Sequence, residues 1–189
     1  MSTFKENESF TNLHQTQNPL PLGEYELCDF TNCDFSNADL SVYIFVECTF
    51  DNCNFSMTAL RKTAFKDVKF ANCNLLGLNF QDCDPFLLEM NFKDCNLNLA
   101  SFFKLKLKGT PFKTCNLQEA DFTEADLTSV NFDNCNLSRA LFENTILEKA
   151  DFRTAQNYSI NPSLNRIRKA KFSQAGIAGL LDQYDISIE

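Results

Sequence analysis

The chain has 189 residues and a formal net charge of −8, with twenty phenylalanines, nine cysteines, one histidine and no tryptophan, enough material to bury a continuous core. A lone His14 excludes any Ser-His-Asp or Cys-His set, and Gly23, Gly77, Gly109, Gly176 and Gly179 lie too far apart to form a phosphate-cradling loop. No apolar run approaches the roughly 18 residues of a membrane span, and the opening MSTFKENESF lacks the pattern of a secretion signal, so a cytoplasmic, non-catalytic protein without cofactor or metal is expected.

Residues 1–24 read as an N-terminal cap or lead-in. Phe10 and Leu20 could begin a partial coil, and Asn18-Pro19-Leu20-Pro21-Leu22-Gly23 reads as a turn before the first strand. From residue 25 a five-residue theme takes over: small, polar or acidic, large apolar, then two polar. It is plainest from Cys115 to Asp126, as CNLQE, ADFTE and AD. Neither a period of two nor one of 3.6 fits it.

Large central residues recur every five positions from Tyr25 to Phe80, then from Leu87 to Phe152, with two extra residues between the series. Every fourth quintet falls into one column. The first reads Phe30, Phe50, Phe70, Phe92, Phe112, Phe132, Phe152 and Phe172; the second Phe35, Phe55, Leu75, Leu97, Leu117 and Leu137. The third reads Leu40, Leu60, Phe80, Phe102, Phe122 and Phe142, and the fourth Phe45, Phe65, Leu87, Leu107, Leu127, Leu147 and Ile167. A period of twenty therefore sorts Phe from Leu, and only a shift of two after Phe80 keeps the columns aligned. Sides of roughly 16 Å leave room for one large and one small inward residue each. The change from Phe-Phe-Leu-Phe coils to Phe-Leu-Phe-Leu coils predicts two differently packed sub-stacks meeting near residues 60–75.

This quintet resembles the repeat of the pentapeptide-repeat family. The resemblance implies an all-β fold, a right-handed quadrilateral β-helix or solenoid with one quintet per side, over residues 25–172.

Cys33, Cys53, Cys73, Cys95, Cys115 and Cys135 occupy the small inward slot of the second side, and Cys28 and Cys48 that of the first. Stacked neighbours about 4.8 Å apart with parallel Cβ vectors suit neither disulfides nor a tetrahedral metal, so buried, reduced thiols are expected.

Glu24 to Asp51 holds seven acids and no base. Asp29, Asp34 and Asp39 among them, like Asp121 and Asp126 later, take the quintet's polar slot. They read both as turn acceptors and as candidate partner contacts. Residues 61–113 reverse the sign, with nine basic residues against five acids, either a solvated face or an anion-binding patch. The insertion at 82–89 contains Pro85, which cannot donate to a ladder. With Leu87 in the central slot, Phe86 and Leu88 point outward as an apolar knob, unless Phe86 folds back over the bulge; Pro85, Phe86 and Leu88 are candidate contacts.

Residues 173–189 read as a C-terminal helical cap or dimerisation tail. Ile177, Leu180, Leu181 and Tyr184 would share one helical face, and Ile186-Ser187-Ile188 could add a strand.

In length, Cys-rich quintets, mid-rod interruption and apolar tail the chain is similar to the quinolone-resistance (Qnr-type) members of the family. That resemblance implies an acidic, DNA-mimicking rod binding DNA gyrase or topoisomerase IV against drugs or toxins; no direct nucleic-acid contact is expected, and the tail could cap the rod, join a homodimer, or do both. Charge sets a bound on mimicry: over roughly 36 Å a duplex carries about 21 negative charges, against a net of −8. The alternative is a rigid protein–protein interaction scaffold. The two part on charge geometry, since mimicry requires an acidic face that lysines do not interrupt.

Overall fold

A computed structural model describes residues 3–187. Eleven short strands follow in chain order: β1 (Thr3–Glu6), β2 (Ser9–Thr11), β3 (Gly23–Glu26), β4 (Asp29–Thr31), β5 (Ile44–Val46), β6 (Thr49–Asp51), β7 (Ala64–Lys66), β8 (Val68–Ala71), β9 (Met90–Lys93), β10 (Pro111–Lys113) and β11 (Asn131–Asp133). All pairing is parallel. The first side is a seven-stranded ladder, β11-β10-β9-β8-β6-β4-β2, and the fourth side a four-stranded one, β1-β3-β5-β7. The other two sides are held by isolated parallel bridges such as Asn54↔Asn74 and Ser101↔Asp121. The result is a four-sided β-solenoid. The register, Phe30↔Phe50, Phe50↔Phe70, Phe70↔Phe92 and Phe92↔Phe112, shows the twenty-residue coil and the net two-residue insertion.

The core is built from columns of rings. From Phe10 to Phe172 the first-side rings stack at centroid separations of 4.6 to 5.4 Å. Rings of different columns meet edge to face, on adjoining sides as Phe30 does Phe35 at 69°, or across the coil from first to third side as Phe112 does Phe122 at 84°. The T-shaped contact between columns is an arrangement that the aromatic quadrupole favours, while the near-parallel stacking within a column follows the coil-to-coil register of the ladder.

The small inward slot also satisfies backbone. Cys53 Sγ donates to Phe30 O at 3.4 Å and Cys73 Sγ to Phe50 O at 3.3 Å, while Thr58 and Thr63 hydroxyls reach the equivalent carbonyls of Phe35 and Leu40 at 2.7 Å. Cysteine and threonine are thus interchangeable as small donors. All nine cysteines are free and buried. Burial pushes the Cys48 thiol up to about 12, far from a reactive thiolate.

Corners follow the same period. Two residues after the central side chain the backbone turns through the left-handed region, at Asn32, Asn37, Val42, Glu47 and Asn52 and on along the rod. Asparagine, which tolerates that region, is common there, and Gly77 and Gly109 occupy two of the corners.

The lead-in is itself part of the ladder: β1 pairs with β3 from Thr3↔Gly23, and β2 with β4 through Phe10↔Phe30. Two of its four central slots hold Lys5 and Gln15 instead of apolar residues. Gln15, 5% exposed, takes the Leu20 N–H on Oε1 at 2.9 Å and donates from Nε2 to Tyr43 Oη at 3.2 Å; that hydroxyl donates in turn to Leu20 O at 2.7 Å. A buried amide with its groups paired closes this end, so the hydrophobic pattern has nothing to mark there.

At the other end the repeat slips. Tyr158 and Ile160 are buried, and Tyr158 packs against Phe152 and Phe172, while Asn157 turns a left-handed corner. The expected single helix over 173–184 is two 3-10 turns, Ile177–Leu180 and Asp182–Tyr184. Close packing on Tyr158 is the reason: a Cβ on Gly176 would fall 2.0 Å from Tyr158 Oη, and one on Gly179 2.1 Å from Tyr158 O. Ile160 N–H donates to Gly179 O at 2.8 Å, seating the tail on the last coil. Ile177, Leu180, Leu181 and Tyr184 therefore do not share one face. Leu180 packs on the core, whereas Ile177 and Tyr184 are exposed. The strand suggested at Ile186-Ser187-Ile188 runs outside the described residues at Ile188.

Candidate functional site

Between Phe10 and Phe152 the coils are broken at the bulge on the fourth side. Asp84 N–H donates to Thr63 O at 2.9 Å and Glu89 N–H to Phe65 O at 3.0 Å, bonds that place Asp84 and Glu89 above Ala64 and Lys66. Leu88 thus stands above Phe65, and it packs on the core. From Phe65 to Leu88 is 23 residues, three more than a coil; from Leu88 to Phe92 is four, one fewer than a side. Three added residues less one omitted give the net two. The expected central Leu87 is instead a left-handed corner, 64% exposed, beside Phe86 at 65%. The knob is Phe86 and Leu87, with Leu88 turned inward. Neighbouring leucines make this one-residue choice invisible to spacing.

Local geometry fixes the knob. A 3-10 turn over Phe80–Asp82 replaces the preceding corner, Lys62 N–H donates to Asp82 O at 2.7 Å, and Phe86 N–H caps back on Asp84 Oδ1 at 3.0 Å. Pro85, exposed, sits inside that turn. Lys66 Nζ lies 5.9 Å from the Phe86 ring centroid, within cation–π reach. Val46 pairs with Lys66 in the ladder, so Ile44 and Val46 continue toward the knob on the same face.

The acids seen in the sequence are engaged locally. Asp34, Asp39, Asp121 and Asp126 each accept the N–H two residues on, from Ser36, Ser41, Thr123 and Thr128, at 2.8 to 3.1 Å. Hydrogen bonds from Ser36 and Ser41 hold Asp34 and Asp39 below the ordinary carboxylate range. Partial burial pulls Asp126 upward, but the Thr128 hydroxyl and amide and Lys108 Nζ at 3.2 Å leave it lowered. Asp29, on β4, faces outward with no turn to cap.

Charge does not form a continuous strip. On the first side Lys69, Lys93 and Lys113 separate Asp29 and Asp51 from Asp133 and Asp151. On the fourth, Lys66, Lys106 and Lys108 separate Glu24 and Glu26 from Asp126 and Glu148. Arg61, with the corner residues Lys62 and Lys104, interrupts the third. The second side carries no lysine, but from Asn54 onward it is an amide ladder: Asn74 Nδ2 to Asn54 Oδ1, Asn96 to Asn74 and Asn136 to Asn116, each at 3.0 Å.

Among the described residues no group of three or more His, Cys, Asp and Glu side chains is arranged to hold a metal ion, and no helix is long and apolar enough to cross a membrane.

Comparison with known proteins agrees with this architecture. The family model described as "Pentapeptide repeat region" matches residues 24–85 and 86–152. No curated protein matches the chain significantly. Among solved structures, two trypsin-treated variants of QnrB1, a plasmid-mediated fluoroquinolone resistance protein, superpose with TM-scores of 0.62 and 0.63 at 17% and 16% identity, covering 99% and 100% of this chain and 100% of each of theirs. HetL, from the cyanobacterium Nostoc sp. strain PCC 7120, matches at 15% identity and a TM-score of 0.43 over 88% of this chain and 89% of its own. With the family model spanning residues 24–152 and the quintet turning a corner of the ladder at every fifth residue, the chain belongs to the pentapeptide-repeat family.

Proposed function

We propose that the protein is a non-catalytic rod for protein–protein interaction, with its contact surface centred on Phe86 and Leu87. The observation that carries this reading is the exposure of two consecutive large apolar residues, 65% and 64%, on a bulge fixed to a rigid ladder. Apolar residues scattered singly need no partner, but an adjacent pair raised above a polar rod does. The interior is filled by ring columns and offers no cleft for a shifted acid–base pair. The proposed setting is the cytoplasm, where buried thiols stay reduced. Pro85 holds the turn beneath the pair. A photo-reactive phenylalanine analogue placed at position 86, and in a control at Phe103, tests the surface: a cross-linked partner formed only from position 86 and lost in Leu87→Asp supports it. Identical products from both positions, or none from position 86, overturn it.

A second reading is supported by the full-length likeness in fold to QnrB1 and by the acid-rich first coils. Here the rod binds DNA gyrase or topoisomerase IV and protects against quinolones or toxins. With lysines interrupting three faces and amides covering the fourth, mimicry of DNA would be confined to one end, around Glu24, Glu26, Asp29, Asp34 and Asp39, or to a dimer joined through the tail. Supercoiling by purified gyrase with a quinolone present, titrated with this protein, decides between the readings. Rescue at low concentration followed by inhibition at high concentration establishes the topoisomerase reading, and no effect leaves the scaffold.

A further inference from the structure

The residue missing after Leu88 leaves a notch. Where other coils turn a full corner between the fourth and first sides, Glu89, Met90 and Asn91 cut across, and Gly109 one coil later has no atom within 4 Å of where its Cβ would stand. The notch holds about 340 Å³ between Leu88 and Met90 on one wall and Lys106, Lys108 and Pro111 on the other. The exposed Phe86 and Leu87 stand just before the Leu88 wall.

Lys106 and Lys108 line it, and further cations stand on the two sides that meet there. Lys66, Lys106 and Lys108 line the fourth side; Lys69, Lys93 and Lys113 line the first, where Lys93 and Lys113 are paired in register. Among the described residues Lys66, Lys69, Lys106 and Lys113 have no carboxylate within 4.0 Å, while Lys93 meets Asp94 at 3.8 Å and Lys108 meets Asp126 at 3.2 Å. Glu89 lies on the wall of the notch, Asp67 turns the corner one coil below, and Asp133 pairs in register with Lys113 one coil above.

Resting on the reading of this face as a docking surface, we infer that its partner is an extended, acidic protein segment: a large apolar side chain seats against Phe86, Leu87 and the notch, and flanking Asp or Glu residues meet Lys69, Lys106 and Lys113. Charge complementarity selects this occupant. The chain carries −8 overall, yet places unpaired cations around its one built protrusion. A short acidic segment profits from that local field. A nucleic-acid duplex, with a charge every 1.7 Å, would be repelled by the acidic coils on either side and has no use for the apolar pair.

The test is to pan a displayed random dodecapeptide library on the full chain, with counter-selection on the Phe86→Ser/Leu87→Ser variant, then measure enriched peptides by fluorescence anisotropy. Enriched sequences should be net acidic with at least one large apolar residue. Their affinity should fall about tenfold or more in Lys69→Glu/Lys106→Glu, drop with added salt, and rise a few-fold in Glu89→Gln. All the altered side chains are exposed, and circular dichroism with thermal melting checks that each variant is folded. Peptides that need Phe86 and Leu87 but are neutral or basic, or are indifferent to the lysine reversals, overturn the inference while leaving the docking surface standing. Competition by heparin or a 20-base-pair duplex that depends on the lysines and ignores Phe86 and Leu87 overturns it in favour of a polyanion surface. Absence of enrichment over bare support overturns both.

Discussion

The coils before the bulge and those after it enclose the same four columns and fill them differently. Through Phe65, rings stand on the first, second and fourth sides, as Phe50, Phe55 and Phe65; from Phe70, just ahead of the bulge, they stand on the first and third, as Phe112 and Phe122, with Leu75, Leu117 and Leu127 on the others. Backbone changes with packing. The fourth side is a hydrogen-bonded ladder through β7 and thereafter only bridges, Lys106↔Asp126, Asp126↔Ile146 and Ile146↔Arg166. A fourth-column ring goes with an extended side, and a leucine with a side drawn in as a turn. The bulge lies where one geometry gives way to the other, so its extra residues absorb a mismatch between two ways of closing a coil. A functional protrusion there costs the solenoid little, because the ladder on that side ends anyway.

The largest expected effect comes from placing a charge in a ring column. Phe112 is fully buried, stacked on Phe92 at 5.0 Å and Phe132 at 5.3 Å. Phe112→Asp removes the ring and buries an unpaired carboxylate, a loss of about 5 kcal/mol or more, and should leave no cooperative urea transition. Lys108→Glu, at an exposed position, should stay within about 1 kcal/mol of the parent. Native stability in Phe112→Asp would refute the inward assignment.

Next comes a change that tests whether packing distinguishes the two regions. Leu127 fills the fourth column of a two-ring coil and is fully buried. Leu127→Phe writes the earlier pattern into the later region and should cost about 1–3 kcal/mol by overpacking. Combined with Phe122→Leu it should recover part of that loss, since the pair restores coil volume. No recovery in the double variant, read from urea midpoints, would mean that the ring positions are set by backbone geometry alone.

These variants also mark what the sequence makes legible. The columns, the coil of twenty and the inward cysteines could be read because every coil repeats them, and a periodic signal averages out local exceptions. Single events are not averaged. Leu87 and Leu88 are the same letter side by side, and only the bonds from Asp84 and Glu89 show which one enters the core. The first coil was legible only in part, through Phe10 and Leu20, because Lys5 and Gln15 stand in its other central slots and its closure rests on amide hydrogen bonds that hydrophobic spacing does not register. Tyr158 and Ile160 were missed by a slip in register after Phe152, where Asn157 turns the corner early. The paired lysine rows of the first side were visible as a basic stretch, but their gathering around a notch depends on the omitted corner residue.

A smaller effect tests the bulge as a joint. Removing Pro85, Phe86 and Leu87 and inserting one glycine after Glu89 brings Leu88 to twenty residues above Phe65 and restores the corner. The expected protein is folded, with a melting temperature within a few degrees of the parent, while cross-linking from this face and binding of acidic peptides disappear. Unfolding of this variant would make the bulge part of the fold and no separable surface.

The smallest effect separates the carboxylates of the two regions. Asp34 and Asp39 before the bulge, and Asp126 and Asp151 after it, all have folded pKa values below the unfolded value of about 3.9. The stability each contributes is present above that unfolded value and is lost as pH falls through the folded one, so the window lies below about pH 4. Asp39 is exposed and the other three lie part-buried at the surface, where solvent still screens them, so each should contribute under about 1 kcal/mol. Their partners differ. Serine hydroxyls and amides hold Asp34 and Asp39, with His14 3.7 Å from Asp34, whereas Lys108 holds Asp126, and Arg153 and Lys171 hold Asp151 at 2.7 and 3.8 Å. At neutral pH, salt should therefore reduce the second pair's contribution more than that of Asp39, which rests on neutral donors alone. Asp126→Asn keeps an acceptor for the Thr128 amide but has no proton to gain; it should flatten the acid limb of the urea midpoint and remove the salt dependence associated with Lys108. Asp39→Asn should flatten the same limb without altering the response to salt. Equal salt responses in the two variants would show that the neighbouring cations, for all their proximity, do not set the acid stability of the second region.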